Sequence, residues 1–198
     1  MTRKTLALAA LVLAALLSLA ACGGDDGNPG VSSDDSSAGA ANADFNDADV
    51  AFATQMIPHH QQAVEMAELA ADRAENPEVR QLAEDIAGAQ EPEIQTMTQW
   101  LEDWGQESPS GSMDHGDMGH GDSGEMPGMM DESEMTRLEE SGGTAFDQMF
   151  VQMMTEHHEG AIEMARDEQA NGKNAEAVAL AKKIASDQQA EIAKMKGF

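Results

Sequence analysis

The sequence predicts an all-α protein, a four-helix bundle assembled from two copies of one antiparallel helical hairpin. Three observations predict it. The pair His59-His60 recurs as His157-His158, and 19 of the 49 positions from 49 to 97 recur without a gap at an offset of 98 residues, which marks an internal duplication. Within each copy, apolar residues fall at steps of three and four, the period of an amphipathic helix. Only a few residues separate the helical stretches of a copy, which forces each pair antiparallel. A hairpin with one apolar face cannot bury it alone, so two hairpins must pack face to face about a pseudo-two-fold axis.

The first helix is expected over 46–73. Asn46 is a good N-cap with Asp49 three residues on, a capping-box arrangement that places negative charge at the helix start. Its stripe is Phe52, Met56, His59, Ala63, Met66 and Ala70. Pro58 removes a backbone donor at a cost of about 3 kcal/mol. The second copy has Glu156 there, so helical geometry is acceptable and a kink is expected, with a helix beginning at Pro58 as the alternative. The second helix, over 76–104, opens on Asn76-Pro77-Glu78, a capping side chain followed by proline at the first helical position. Its stripe runs Val79, Leu82, Ile86, Gln90, Ile94, Met97, Leu101, Trp104, with Pro92 inside it. The third helix is expected over 143–172, with Thr144 as the N-cap equivalent to Asn46, Asp147 equivalent to Asp49, and Gly172 as its stop. Its stripe is Phe150, Met154, His157, Ala161 and Met164. Asn174 caps the fourth helix, over 174–196.

Residues 105–140, which join the copies, follow none of these patterns. They hold six Met and two His among Gly, Ser, Asp and Glu, and include the tandem Met113-Asp114-His115-Gly116-Asp117, Met118-Gly119-His120-Gly121-Asp122. Such length marks a functional or disordered connection, and the composition predicts poor order over 106–140.

The start of the chain has a different character. Arg3 and Lys4 precede an apolar run from Leu6 to Ala21, the charged and apolar regions of an export signal. The run is too short, and too quickly followed by Gly and Asp, for a membrane-spanning helix. Leu19-Ala20-Ala21-Cys22 resembles the lipobox of bacterial lipoproteins, which implies cleavage before Cys22 and lipid attached to its sulfur; an ordinary signal peptide with an incidental cysteine is the alternative. Cys22 is the only cysteine, so no disulfide framework exists. Residues 22–44 read as a flexible tether. The organisation expected is a signal over 1–21, the tether, and a helical domain over 45–198, divided into repeat 1 (45–104), the Met/His-rich connection (105–140) and repeat 2 (141–198). The expected location is extracytoplasmic, lipid-anchored to the bacterial cell membrane, in the periplasm or at the cell surface. The full chain carries a net charge of −26; without Arg3 and Lys4, 9 basic residues face 37 acidic ones. Nucleic acid is excluded as a partner on that charge. The expected partners are a metal ion and, through the lipid alone, the membrane.

The repeated histidines and methionines carry the chemistry. Adjacent histidines on a helix point about 100° apart, so His59 falls on the apolar stripe and His60 to one side of it. Met56 lies three and four residues before them, within reach of either ring. Thioether sulfur is soft and imidazole borderline, a set that suits Cu(I) and Ag(I) better than Zn, Mg or Ca. Met56, Met66, Met154 and Met164 are the candidate thioether ligands, although methionine also fills gaps in apolar cores. Met97 and Met195 read as core. Gln90 and Gln188 fall on the stripes facing the histidine helices, where they would either fix an imidazole tautomer or satisfy each other. Glu65 and Glu163 fall off the stripe and read as solvated. Met113, His115, Met118 and His120 form a separate, weaker candidate set.

The stretch Met56-Ile57-Pro58-His59-His60-Gln61-Gln62-Ala63-Val64-Glu65-Met66-Ala67, with Leu82-Ala83-Glu84-Asp85-Ile86 and Gln90-Glu91-Pro92-Glu93-Ile94, closely resembles the bacterial domain of unknown function 305 family, which includes CopM-like periplasmic copper-binding proteins. The resemblance covers both repeats. It implies a ferritin-like four-helix fold and copper bound by Met and His, here Met56, His59, His60, Met66, Met154, His157, His158 and Met164. The second copy departs at Thr155-Glu156 and Glu159-Gly160, so the two sites are not expected to be equal.

Three functions compete. One is a copper-binding lipoprotein acting in buffering, tolerance or trafficking. A second is a structural or protein-interaction bundle. The third, a di-iron oxidase, requires Glu-x-x-His on bundle helices. The residues three before the four helical histidines are Met56, Ile57, Met154 and Thr155, so that motif is absent. No nucleophile or phosphate-loop signature supports any other enzyme.

Overall fold

The computed structural model describes residues 44–109 and 126–198. The predicted signal, Cys22, the tether up to residue 43 and the tandem of residues 113–122 lie outside the described residues. The elements are α1 (Asp47–Arg73), α2 (Pro77–Asp103), α3 (Glu132–Glu140), α4 (Thr144–Asn171) and α5 (Ala175–Met195). The four long helices agree with the expected spans to within one residue at every end, and the described residues contain no strand. The chain is all-helical, with α1 and α2 forming one hairpin, α4 and α5 the other, and the hairpins meeting along α1 and α4.

The caps explain most of the boundaries. Asn46 accepts from the N–H groups of Ala48 and Asp49, and Asp49 accepts in return from the Asn46 N–H at 2.6 Å. Asn76 and Asn174 cap α2 and α5 as expected, with Pro77 at the first helical position of α2. Helix α1 runs through Pro58 without a break, and α2 through Pro92. Thr144 is a correction: it is not the N-cap of α4. Gly143, at φ 63°, turns the chain so that Thr144 becomes the first helical residue, a backbone conformation glycine adopts without steric cost. The missing cap comes from the other hairpin, where Glu75 Oε2 accepts from the Thr144 N–H at 3.0 Å and from its hydroxyl at 2.7 Å.

The second half of the 105–140 connection is also a correction. Residues 132–140 form α3, capped by Asp131 and Glu134. Met130, Met135 and Leu138 enter the core against Ala63, Met66, Phe146 and Phe150. A few apolar residues spaced for one helical face suffice to order this part, which the polar composition concealed.

The two hairpins are tied by a reciprocal contact. Asp49 at the start of α1 accepts from the Lys173 and Asn174 N–H groups (3.0 and 2.8 Å), in the turn between α4 and α5. Asp147, its repeat equivalent, accepts from the Glu75 and Asn76 N–H groups (3.1 and 2.9 Å), in the turn between α1 and α2. Each helix start thereby satisfies backbone donors of the opposite hairpin. One copy carries an addition: Glu168, buried against Asp49, replaces the small Ala70. Burial first, then the neighbouring Asp49 carboxylate, push the Glu168 carboxyl up to about 8.

Removing the Asp147 tie strands the half-buried Asn76 N–H and frees the exposed Glu75 N–H. Asp147→Ala is expected to destabilise the domain by about 2 kcal/mol, read as a lower urea midpoint at an unchanged slope. A change below about 0.5 kcal/mol would refute the role given to the tie.

Candidate metal centre

His59 and His60 come from the middle of α1, His157 and His158 from the middle of α4, and all four side chains are fully buried. The helical offset separates the members of each pair, and the hairpin packing then uses both directions. His59 faces its repeat equivalent across the α1–α4 contact, with the rings of His59 and His157 3.7 Å apart between centroids and tilted by 41°. His60 and His158 turn back into their own hairpins. There His60 Nε2 donates to Glu93 of α2 at 2.8 Å, and His158 Nε2 donates to Glu191 of α5 at 2.7 Å. His60, which falls to one side of the stripe, is buried as well, because α2 closes over it.

These carboxylates displace the roles expected of Gln90 and Gln188. Both glutamines are buried, yet neither bonds an imidazole or the other glutamine; their amide groups have no protein hydrogen-bond partner. Glu93 and Glu191, one turn further on, hold the rings instead. Their signal was present in the sequence, since Glu93 recurs as Glu191 at the 98-residue offset. A carboxylate that accepts from Nε2–H fixes the tautomer, so the lone pair of the ring resides on Nδ1. His59 is fixed likewise by the backbone: its Nε2 donates to the Pro127 carbonyl at 3.1 Å.

The remaining ring nitrogens have no partner among the protein groups. These are Nδ1 of His59, His60 and His158, and both nitrogens of His157. Buried polar atoms are nearly always paired, so the four lone pairs these five nitrogens carry, one for each neutral ring, suit a ligand that accepts lone pairs. Among the described residues, no three His, Cys, Asp or Glu side chains converge on one point. A metal held here would therefore complete its ligand set from sulfur, and sulfur is at hand. Met56, Met97 and Met164 share one apolar cluster; Met66, Met154 and Met195 share the other, which also holds Met130, Met135 and Met153. The two trios are repeat equivalents, and each takes members from both hairpins. Met97 and Met195, read from sequence as core, thus stand with the candidate ligands, although the Met195 sulfur also accepts a long contact from the Thr155 hydroxyl at 3.6 Å. The fit to a soft cation rests on the unpaired nitrogens and the thioethers together. Met113, His115, Met118 and His120 lie outside the described residues.

The centre is not electrostatically symmetric. Lys183 of α5 reaches Glu93 Oε1 at 2.8 Å, whereas the repeat equivalent of Lys183 is Asp85. Burial would raise the Glu93 pKa, but hydrogen bonds from His60 and Lys183 outweigh it and hold Glu93 below the ordinary carboxylate range. Burial, aided by the neighbouring His60, lowers His59 to about 3. Burial likewise lowers His157 well below its ordinary value, with His59 and His158 adding to the effect. His60 is lowered by burial despite its bond to Glu93. His59, His60 and His157 are thus held neutral at physiological pH, the state a metal ligand needs. Glu65 and Glu163 are exposed, as expected.

Residues 49–198 match the family described as domain of unknown function 305, DUF305. A DUF305 protein from Streptomyces coelicolor, described as a candidate secreted protein, is 36% identical over 79% of this chain and 91% of its own, with a TM-score of 0.65. A DUF305 fragment from Deinococcus radiodurans is 29% identical over 77% of this chain and 95% of its own, also at 0.65. CopM in its Cu(I)-bound form is 33% identical over 75% of this chain and 93% of its own, at 0.60; CopM has also been solved with Cu(II) and with silver. No curated protein matches.

The shifts set a pH profile for the metal-free domain. A histidine with a lowered folded pKa binds protons more readily when unfolded, so stability is intact above about 6.5 and is lost as pH falls toward 3. The slope is up to about 1.4 kcal/mol per pH unit for each such ring. Glu168 acts oppositely: its stabilisation is present below about 4.5 and is lost as pH rises through about 8. Urea midpoints measured from pH 4 to 9 should therefore pass through a maximum, and Glu168→Gln should flatten the alkaline side alone. A profile that stays level from pH 6.5 to 4 would contradict the burial of neutral rings.

Proposed function

The chain belongs to the DUF305 family, and from that premise we propose that it is an extracytoplasmic metal-binding lipoprotein. In this reading it binds Cu(I), and Ag(I) likewise, for copper buffering, tolerance or trafficking. The ligands are drawn from Met56, His59, His60, Met66, Met154, His157, His158 and Met164. The observation that carries the reading is the set of unpaired, buried ring nitrogens in a bundle whose two apolar clusters both hold buried methionines. An unsatisfied polar group in a core costs about 1–3 kcal/mol, and a purely structural or protein-interaction bundle leaves that cost uncompensated. The metal-bound forms of CopM support the same ligand chemistry in a relative. The role is binding rather than catalysis. Met113, His115, Met118 and His120 add weaker capacity.

Anaerobic titration against a Cu(I) chelator, with Ag(I) and Zn(II) arms, tests the reading. Cu(I) and Ag(I) should bind tightly and Zn(II) poorly. Met56→Ala with His59→Ala should weaken the tightest site by on the order of a hundredfold, about 2.8 kcal/mol. Deleting residues 110–125 should lower stoichiometry and spare that site. Loss of all tight binding on that deletion would move the site from the helices to the connection. Affinity should hold below pH 6, where a free imidazole already protonates, because burial keeps His59, His60 and His157 neutral there.

Export and anchoring rest on Arg3, Lys4, the apolar run and Cys22, and the Streptomyces relative described as a candidate secreted protein supports export. Cys22→Ser should shift the protein from the membrane fraction to the soluble extracytoplasmic fraction. Its retention in the membrane would exclude the lipid anchor.

A further inference from the structure

All four histidines are closed off from solvent, so a metal cannot reach them unless part of the structure moves. One cover that belongs to no helix is the strap formed by residues 126–130, between the described end of the connection and α3. It lies over the α1–α4 contact. Pro127 accepts the His59 Nε2–H through its carbonyl. Met130 is gripped by a single side chain: its N–H donates to Gln62 Oε1 and its carbonyl accepts from Gln62 Nε2, both at 2.8 Å. Opposite Gln62 in the repeat stands Gly160, and a Cβ at Gly160 would overlap the Pro127 carbonyl. The strap also fits through Gly128, at φ 77°, whose hydrogen faces the backbone of Glu156 and His157. The departure of the second repeat from the first at Gln62/Gly160 thus has a physical content: one copy supplies a clamp and the other supplies room. Beside the strap, a cleft of about 480 Å³ opens between α1 and α4, and its lining includes Phe52, Pro127, Glu163, Met164 and Asp167. It brings solvent to the edge of the strap and to one candidate thioether.

We propose that the Met126–Met130 strap gates access of the metal ion to the four-histidine centre, with Gln62 as its latch, Gly160 as its seat and the Met164 cleft as the approach. Opening breaks the two Gln62 bonds and the His59–Pro127 bond and draws Met130 from the edge of the core, and it leaves the helices and their reciprocal Asp49 and Asp147 ties intact. A segment held by so few bonds opens far more often than the whole domain unfolds. Release of Pro127 also frees His59 Nε2, so strap opening changes which ring nitrogens are available. The inference rests on the metal-binding reading above, and its test has a metal-free arm.

Two variants act on the strap from opposite sides. Gln62→Ala removes the latch. Gly160→Ala evicts Pro127 while improving intrinsic helix propensity, so a loosened strap in that variant cannot be attributed to a weakened α4. In metal-free protein, carbethoxylation of His59 and His157 by diethyl pyrocarbonate, mapped by peptide mass, reports exposure of the rings. Stopped-flow mixing with Ag(I) reports access by metal. Both variants should keep the wild-type helix content and raise labelling and Ag(I) association rates about tenfold, as expected for the loss of one or two ordinary hydrogen bonds. Histidine-dependent Ag(I) binding at unchanged rates would overturn the gate and leave the metal-binding reading standing. Faster labelling without histidine-dependent Ag(I) binding in any form would overturn that reading, and the metal gate with it. Unchanged labelling in both variants would show that the rings are reached by another route.

Discussion

The tie between Asp49 and the Lys173–Asn174 turn, mirrored by the tie between Asp147 and the Glu75–Asn76 turn, is the constraint on which the rest of this structure depends. Apolar packing alone tolerates sliding of one amphipathic helix along another, because hydrophobic attraction is non-directional. Hydrogen bonds from a carboxylate to named backbone donors are directional and do not tolerate it. Placed at both ends of the α1–α4 contact, the two aspartates set the register of the hairpins. With that register, His59 meets His157, each methionine trio gathers members from both hairpins, and Gln62 and Gly160 receive the two ends of one strap.

The centre that results is symmetric in its ligands and asymmetric in its surroundings. The pairs His60–Glu93 and His158–Glu191 have nearly the same length, as duplication requires. Lys183 then binds Glu93 alone, Pro127 engages His59 alone, and His157 keeps both ring nitrogens unpaired. Two carboxylate–imidazole pairs of equal geometry therefore stand in different charge surroundings. A carboxylate shared with an ammonium group gives less electron density to the ring it holds, so the two halves of the centre should differ as donors. The charge that distinguishes them comes from α5, the helix that pairs with α4, not from the hairpin to which Glu93 belongs.

The amino-acid sequence by itself determined the duplication, the spans of the four long helices, three of the four long-helix N-caps and the membership of the histidine pairs. These rest on local rules: a side chain three residues from a backbone donor, an apolar stripe at the helical period, a repeat at one offset. Thr144 is the instructive exception, since its cap is Glu75, 69 residues away. The same limit hid the partners of the rings. His60 and Glu93 are 33 residues apart, and Gln62 and Met130 are 68 apart. Gln90 stood on the stripe and Glu93 one turn beyond it, and only the approach angle of α2 on α1 decides which of the two reaches the imidazole. The burial of His60, the ordering of α3 and the placing of the strap were likewise decided by tertiary structure. Local pattern specifies which face of an element is apolar; which atoms of distant segments meet there depends on how the faces are rotated and tied together, and in this fold that is settled by hydrogen bonds spanning 68 to 125 residues of chain.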